Sequence, residues 1–359
     1  MLCHLKLCCC LFFALAAALS AGCAKTEEVP RKRILLLTNG DSPYWDACRQ
    51  GLQAAAADLK TTEAGYTVLM EVNSRYEQGQ IDMLRQYASQ SDVVAVGISV
   101  YNATNAAVAD EMRKLRAKGV HVLAVDNDVD RAKFRDARFA FIGTDNLEAG
   151  SELGVAIRNL RPDGGEIVTF VGSPGAQNAL ERVEGVEQGA GEKFKLVDNM
   201  SDQFDRSKSR ENVRNAISNH PDVNVLVGIY SYNGPDLVDV VRRLNRRSDF
   251  TLVTFDAEPT SLVDMAHGEL DCMIVQDPYK IGYESVKLMK ALVEDDQETV
   301  RTMLPHKNEA DGDIIGTGLK MVVPDMSSPL KAEMFKSTTE FMTFSHFKRW
   351  LAEYKLRGS

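Results

Sequence analysis

Residues 93–127 read VVAVGISVYNATNAAVADEMRKLRAKGVHVLAVDN, and their pattern sets the fold. Val93–Ile98 is a short, nearly continuous apolar run, and so is Val120–Val125. Such runs suit strands buried on both faces rather than strands with one wet side. Between them, Ala106–Lys118 carries a helical pattern and stops at Gly119, a residue suited to the position after a helix. Strand, helix and strand in this order make the unit of a parallel sheet, whose adjacent strands need a crossover.

The same unit recurs along the chain. Further strands are expected at Arg33–Thr38, Thr67–Glu71, Phe139–Ile142, Glu166–Val171, Lys195–Asn199, Val223–Ile229, Phe250–Phe255, Asp271–Val275 and Ile314–Gly318. Helical patterns cover Tyr44–Leu59, Gln78–Ser89, Asn146–Asn159, Ala179–Gly189, Ser207–Asn219, Pro235–Leu244 and Thr260–His267. About five units end near Ile142 and a second series starts at Glu166. The expected class is therefore α/β, with two doubly wound parallel-sheet lobes. The architecture is duplicated although the sequence shows no repeat.

Composition narrows the function. The 359 residues are 44% hydrophobic and 26% charged, which fits a globular chain of about two domains. A formal charge of −9 argues against nucleic acid, which leaves a basic footprint on its binders. The first 23 residues, MLCHLKLCCCLFFALAAALSAGC, read as an export signal: a short n-region with Lys6, an apolar stretch Leu7–Leu19, then small residues. The ending resembles a bacterial lipobox that would place a lipid on Cys23, with Ser20 where leucine is usual. An ordinary cleaved signal is the alternative. Residues 24–33 read as a polar tether. Cys48 and Cys272 are the two cysteines beyond Cys23, too few for a disulfide framework. They read as buried thiols, with a single bridge as the other option.

The motifs of nucleotide and hydrolytic chemistry are missing. Neither a phosphate-binding glycine loop nor a nucleophile elbow occurs, and no pair of histidines has ligand spacing. No enzyme activity, cofactor or metal is expected.

Polar and aromatic residues instead gather where strands end, the place where open α/β sheets bind ligands. Asp41, Ser42, Tyr44 and Trp45 follow the first strand, and Asp126 and Asn127 follow Val125. A loop after Val171 leads to Arg182. Phe204, then Tyr230, Tyr232 and Asn233, then Asp256 and Gln276 follow later strands. Carboxylates and amides suit hydroxyl groups, an arginine donates in a fixed fork, and flat aromatic faces cover the C–H surface of a sugar ring. Each residue alone also has a structural role open to it. Tyr44 and Trp45 can be core, Asp126 a turn former, Asp256 a cap, Gln276 a linker residue and Phe204 a staple. Arg182 can pair with Glu181 or Glu184.

In this order the pieces resemble the periplasmic sugar-binding proteins of the ribose/galactose-binding class, kin to the ligand-binding half of lactose-repressor-type regulators. The resemblance covers about residues 33–322. It rests on S-P-Y-W at Ser42–Trp45, A-V-D at Ala124–Asp126, G-T-D-N at Gly143–Asn146 and E-R-x-E-G at Glu181–Gly185. It continues with F-D-R at Phe204–Arg206, H-P-D-V at His220–Val223, F-D at Phe255–Asp256 and Q-D-P-Y-x-I-G at Gln276–Gly282. It implies substrate-binding roles for Ser42, Tyr44, Trp45, Asp126, Arg182, Phe204, Asp256 and Gln276, for Tyr232 or Asn233, and for Ser99 after the third strand, and Asn127 beside Asp126 is expected in the same site. Asn127 stands where ribose binders carry arginine, and Ser42 where they carry asparagine. Both departures point away from ribose itself and toward another aldose or a polyol.

The resemblance implies a type I periplasmic binding protein: two lobes joined by a hinge, closing over a monosaccharide (pentose, hexose or polyol) and delivering it to an ABC transporter permease. The implied N-terminal lobe spans 34–138 plus 277–308, and the C-terminal lobe 139–276 plus 309–322. A signal peptide at 1–22 and a lipidated linker at 23–33 precede them. A tail at 323–359, with a terminal helix near Ser345–Lys355, follows. The protein would be a monomer in the periplasm or at the cell surface, touching the membrane only through its lipid. Delivery of the sugar signal to a receptor kinase is the alternative function.

Overall fold

The computed structural model describes residues 31–73, 76–325 and 328–359. The expected signal peptide and Cys23 lie outside the described residues. In chain order the strands are β1 (Lys32–Leu37), β2 (Tyr66–Glu71), β3 (Val93–Ile98), β4 (His121–Val125), β5 (Phe141–Gly143), β6 (Gly165–Val171) and β7 (Phe194–Ser201). They continue with β8 (Val223–Gly228), β9 (Thr251–Phe255), β10 (Cys272–Val275), β11 (Ile314–Gly316), β12 (Leu319–Val323) and β13 (Thr339–Thr343).

These strands make two sheets. The first runs β2-β1-β3-β4-β5-β11 and the second β7-β6-β8-β9-β10-β12-β13. All pairings are parallel except that of β10 with β12. The first five strands of each sheet follow the same order, so the architecture is duplicated as expected. Two α/β lobes result.

Each lobe buries its sheet between two helical layers, which explains the continuous apolar strands. On β1, Ile34 and Leu36 pack with Trp45, Cys48 and Leu52 of helix Pro43–Asp58 and with Ile281 and Met289 of helix Pro278–Val293. Leu35 and Leu37 point the other way, onto Ile81 and Leu84 of helix Tyr76–Ala88 and Val108 and Met112 of helix Ala106–Ala117. The helix ends follow local chemistry. Asn105 accepts from the N–H groups of Ala107 and Val108, and Asp145 accepts from Glu148. Each such cap is worth about 1 kcal/mol. Gly119 takes φ +85°, as the end of its helix requires.

Helices Asn146–Leu160 and Gln177–Ala190 cross at backbone distance. A Cβ on Gly150 would lie 2.2 Å from the Arg182 carbonyl, and one on Gly189 would lie 2.0 Å from the Ser151 carbonyl. The glycine of the E-R-x-E-G motif, Gly185, is needed for the same crossing; its Cβ would meet the Leu147 carbonyl at 2.3 Å. That close approach sets Arg182 beside Asn146.

The structure corrects several expected boundaries. Phe141–Gly143, expected in the second lobe, belongs to the first sheet, where Ala124 pairs with Phe141 and Val125 with Ile142. The segment 309–316 is also part of the first lobe, because β11 pairs with β5. The expected strand at Ile314–Gly318 stops at Gly316, and Gly318 turns the chain with φ +85°. The chain therefore crosses between the sheets near residues 144, 276 and 317. The tail packs on the second lobe: β13 adds to the edge of the second sheet, and helix Phe344–Glu353 packs Phe347 and Leu351 into its core. Helix Pro278–Val293, absent from the sequence reading, carries its signal in Asp277 as cap and Pro278 at the first helical position. Cys48 and Cys272 are both buried free thiols, so no bridge joins them.

Candidate functional site

In each sheet the strand order reverses at the first strand, between β1 and β3 and between β6 and β8. Ligands of open α/β sheets bind beyond the carboxyl ends of the strands at such points. A cavity of about 530 Å³ opens there. The segments after β1 to β4 line it from the first lobe, and those after β6 to β10 from the second.

The cavity walls carry Ser42, Tyr44, Trp45, Asp126, Arg182, Phe204, Tyr232, Asp256 and Gln276, nine of the twelve expected residues. Ser42 stands at the N-cap of helix Pro43–Asp58, yet its hydroxyl makes no cap bond. Tyr44 and Trp45 are buried and meet edge to face at 5.2 Å. Tyr44 donates its hydroxyl to Asp126 at 2.7 Å.

The other three expected residues sit behind the wall. Ser99 donates to the second oxygen of Asp126 at 2.8 Å, so it orients the carboxylate rather than lining the cavity. Asn127 donates to the Val100 carbonyl and accepts the N–H of Asn178 at 3.1 Å, which ties the first lobe to the start of the second-lobe helix. Asn233 is fully buried, donating to Asp202 at 3.0 Å and accepting from the Tyr230 N–H at 3.1 Å. Of the two candidates at that place, Tyr232 faces the cavity.

At the base stand two carboxylates and a guanidinium. Burial pushes the carboxyl groups of Asp126 and Asp256 above the usual range; Tyr44, Ser99 and Arg182 oppose this at Asp126, and Arg182 and Gln276 oppose it at Asp256. Asp256 accepts both the backbone N–H of Gln276, at 3.0 Å, and its side-chain amide, at 2.8 Å. Arg182 is 1% exposed. Its Nε donates to Asn146 at 2.9 Å and its Nη1 to the Ile229 carbonyl at 3.0 Å, not to Glu181 or Glu184. The guanidinium lies over the Phe255 ring at 4.4 Å. Its Nη2 has no hydrogen-bond partner.

Aromatic rings close the mouth. Phe204 stacks on Tyr230 at 5.8 Å and approaches Tyr101 of the first lobe at 5.9 Å; Tyr101 in turn meets Tyr76 at 5.2 Å. A third contact between the lobes pairs Arg131 with Glu181 at 3.3 Å. Tyr76, Asp126, Phe204 and Asp256 all line the cavity with φ between 54° and 66°. Left-handed backbone is uncommon for such side chains and concentrates at functional sites.

Sequence reading missed Tyr76, Tyr101, Asn178, Arg206 and Glu258 on the wall. Arg206 stood in the F-D-R motif and could have been drawn from it. It pairs with Asp236 at 3.0 Å and with Glu258 at 3.2 Å. Among the described residues no group of three or more His, Cys, Asp or Glu side chains could hold a metal ion.

A family model described as the periplasmic binding protein domain matches residues 34–297. The ribose import binding protein RbsB of Escherichia coli (strain K12) is 24% identical over 280 residues, covering 76% of this chain and 87% of that protein. The structure of an ABC transporter solute binding protein from Burkholderia graminis C4D1M in complex with D-arabinose superposes with a TM-score of 0.70. It is 21% identical and covers 81% of this chain and 95% of that one. GanP, a glucose-galactose binding protein from Geobacillus stearothermophilus, gives 0.69 at 22% identity, with 82% and 97% covered.

Proposed function

The chain belongs to the periplasmic binding protein family, and we propose that it holds a neutral monosaccharide or polyol in the cavity between its lobes. The observation that carries this reading is the unpartnered Nη2 of Arg182, buried in the cavity wall near two buried aspartates. A buried donor left without an acceptor costs about 1–3 kcal/mol, and a ligand hydroxyl relieves it. Asp126, Asp256 and Gln276 present acceptors and donors to further hydroxyls. Trp45, Tyr44 and Phe204 supply flat faces for the C–H surface of the ring. The arrangement is suited to binding and orienting a ligand.

Closing the lobes strips water from these groups and strengthens each hydrogen bond. The contacts of Tyr101 with Phe204, Asn127 with Asn178 and Arg131 with Glu181 belong to that closed form. Delivery to an ABC permease is inferred from the relatives, one a ribose import binding protein and one an ABC transporter solute binding protein. We place the protein outside the cytoplasm, held at the membrane by a lipid on Cys23; among the described residues no helix is long and apolar enough to cross a membrane.

A thermal-shift screen tests the reading. D-ribose, D-xylose, L-arabinose, D-galactose, D-glucose and myo-inositol are added in turn, and at least one raises the melting midpoint, since a ligand bound only by the folded state stabilises it. No shift with any pentose, hexose or polyol overturns the reading.

A further inference from the structure

The segment beyond the family match ends in a helix that reaches back to the second crossing between the lobes. Lys320 of β12 lies opposite Val275, the residue before Gln276. Lys320 is 6% exposed, and its ammonium donates to Asp277 at 2.9 Å. The Trp350 ring of the terminal helix covers that ammonium at 4.2 Å. The other oxygen of Asp277 accepts the Lys280 N–H at 2.9 Å and so caps helix Pro278–Val293 of the first lobe. Tyr354 completes the span by meeting Tyr279 at 4.7 Å.

A buried ammonium is costly unless a carboxylate and further contacts compensate it. Here the Trp350 ring face is the second contact, and such a contact strengthens when it is desolvated. The pair therefore holds one geometry, and that geometry is handed to the next residue. Gln276 binds Asp256 through two hydrogen bonds and accepts from Thr144 at 2.8 Å, at the first crossing. A second anchor flanks Asp256 on its other side: Ala257 and Ser359 exchange backbone hydrogen bonds of 2.9 and 3.0 Å.

We propose that Trp350, Lys320 and Asp277 are positioning residues that lock the second interlobe crossing and thereby aim Gln276 and Asp256 into the cavity. None of the three lines the cavity. The inference deepens the sugar-binding reading and rests on it only for its effect on affinity.

The test is amide hydrogen exchange on the unliganded full chain, comparing wild type with Trp350→Ala, Trp350→Phe and Lys320→Gln. Exchange at residues 276–280 should rise at least tenfold in Trp350→Ala and in Lys320→Gln, remain near wild type in Trp350→Phe, and stay unchanged in β6. Affinity for whichever of the six named sugars binds wild type most tightly should fall at least fivefold in the first two variants and recover in Trp350→Phe. Unchanged exchange at 276–280 in Lys320→Gln, or a rise equal to that in β6, overturns the proposal. If no sugar binds wild type, the function fails while the exchange result still decides the brace.

Discussion

Asp126 and Asp256 occupy equivalent backbone positions in the two lobes. Each follows directly on the fourth strand of its lobe, β4 or β9, with φ of 66° and 58°. Each donates its N–H across to the next strand at 2.8 Å, Asp126 to the Ile142 carbonyl and Asp256 to the Ile274 carbonyl. The two halves of the clamp thus present one carboxylate each, from the same turn, to the same cavity.

Asp256 is more than a ligand contact, because it satisfies both amide donors of Gln276. Replacing it with alanine strands those buried donors, at about 1–3 kcal/mol for each. Asp256→Ala should therefore lower the urea midpoint and also weaken sugar binding at least tenfold, or about 1.4 kcal/mol. Urea titration and calorimetry of the same preparation separate the two effects.

The helix crossing beneath Arg182 leaves no room for a methyl group. Gly189→Ala places a Cβ against the Ser151 carbonyl, and the helices must separate. Overpacking of this kind costs about 1–3 kcal/mol. Denaturant unfolding should show that loss, whereas Gly268→Ala, with open space but φ +74°, should lose stability through backbone strain alone.

How much of this was legible from sequence follows from range. β1 and β3 announced themselves because their largely buried stretches, Ile34–Leu37 and Val93–Ile98, are apolar throughout. Asp126 and Asp256 were legible for the same reason, as polar residues ending such runs. The three-residue strand β5 carries too little pattern to declare its lobe; only its pairing with β4 and β11 does so. β13 covers just Thr339–Thr343, buries Thr339 and Met342 without a regular alternation, and depends on β12 for its place. Tyr76 and Tyr101 were not legible because Tyr101 meets Phe204 of the other lobe and Tyr76 only through Tyr101, contacts between elements distant in sequence. Ser99, Asn127 and Asn233 fell at strand ends as expected, but their side chains turned to neighbouring polar groups before reaching the cavity.

Acid stability should depend on Asp313. Its neighbours Arg135 and Arg138 hold the carboxyl down from 3.8 to about 2, against the opposing effect of burial. A depressed carboxyl stabilises the fold above its unfolded value and loses that contribution as pH falls toward the folded value. Between pH 4 and pH 2 the melting midpoint should drop, and Asp313→Asn should flatten this part of the curve while lowering the midpoint at pH 7.

The ion pair of Arg131 with Glu181 spans the lobes and contributes to closure. Both groups are partly accessible, so the pair should be worth about 0.2–1 kcal/mol. Glu181→Gln should raise the sugar dissociation constant by no more than about fivefold, with faster release in stopped-flow measurements and little change in melting midpoint. A loss of a hundredfold would mean that Glu181 acts on the ligand itself.

Titration calorimetry of wild type and Arg182→Ala against the sugar that shifts the melting midpoint most tests the clamp at its centre. Wild type should bind one molecule per chain, and Arg182→Ala should bind at least tenfold more weakly because the buried Nη2 donor is gone. Equal affinity in the two proteins, or steady heat from turnover of the sugar, would contradict the account.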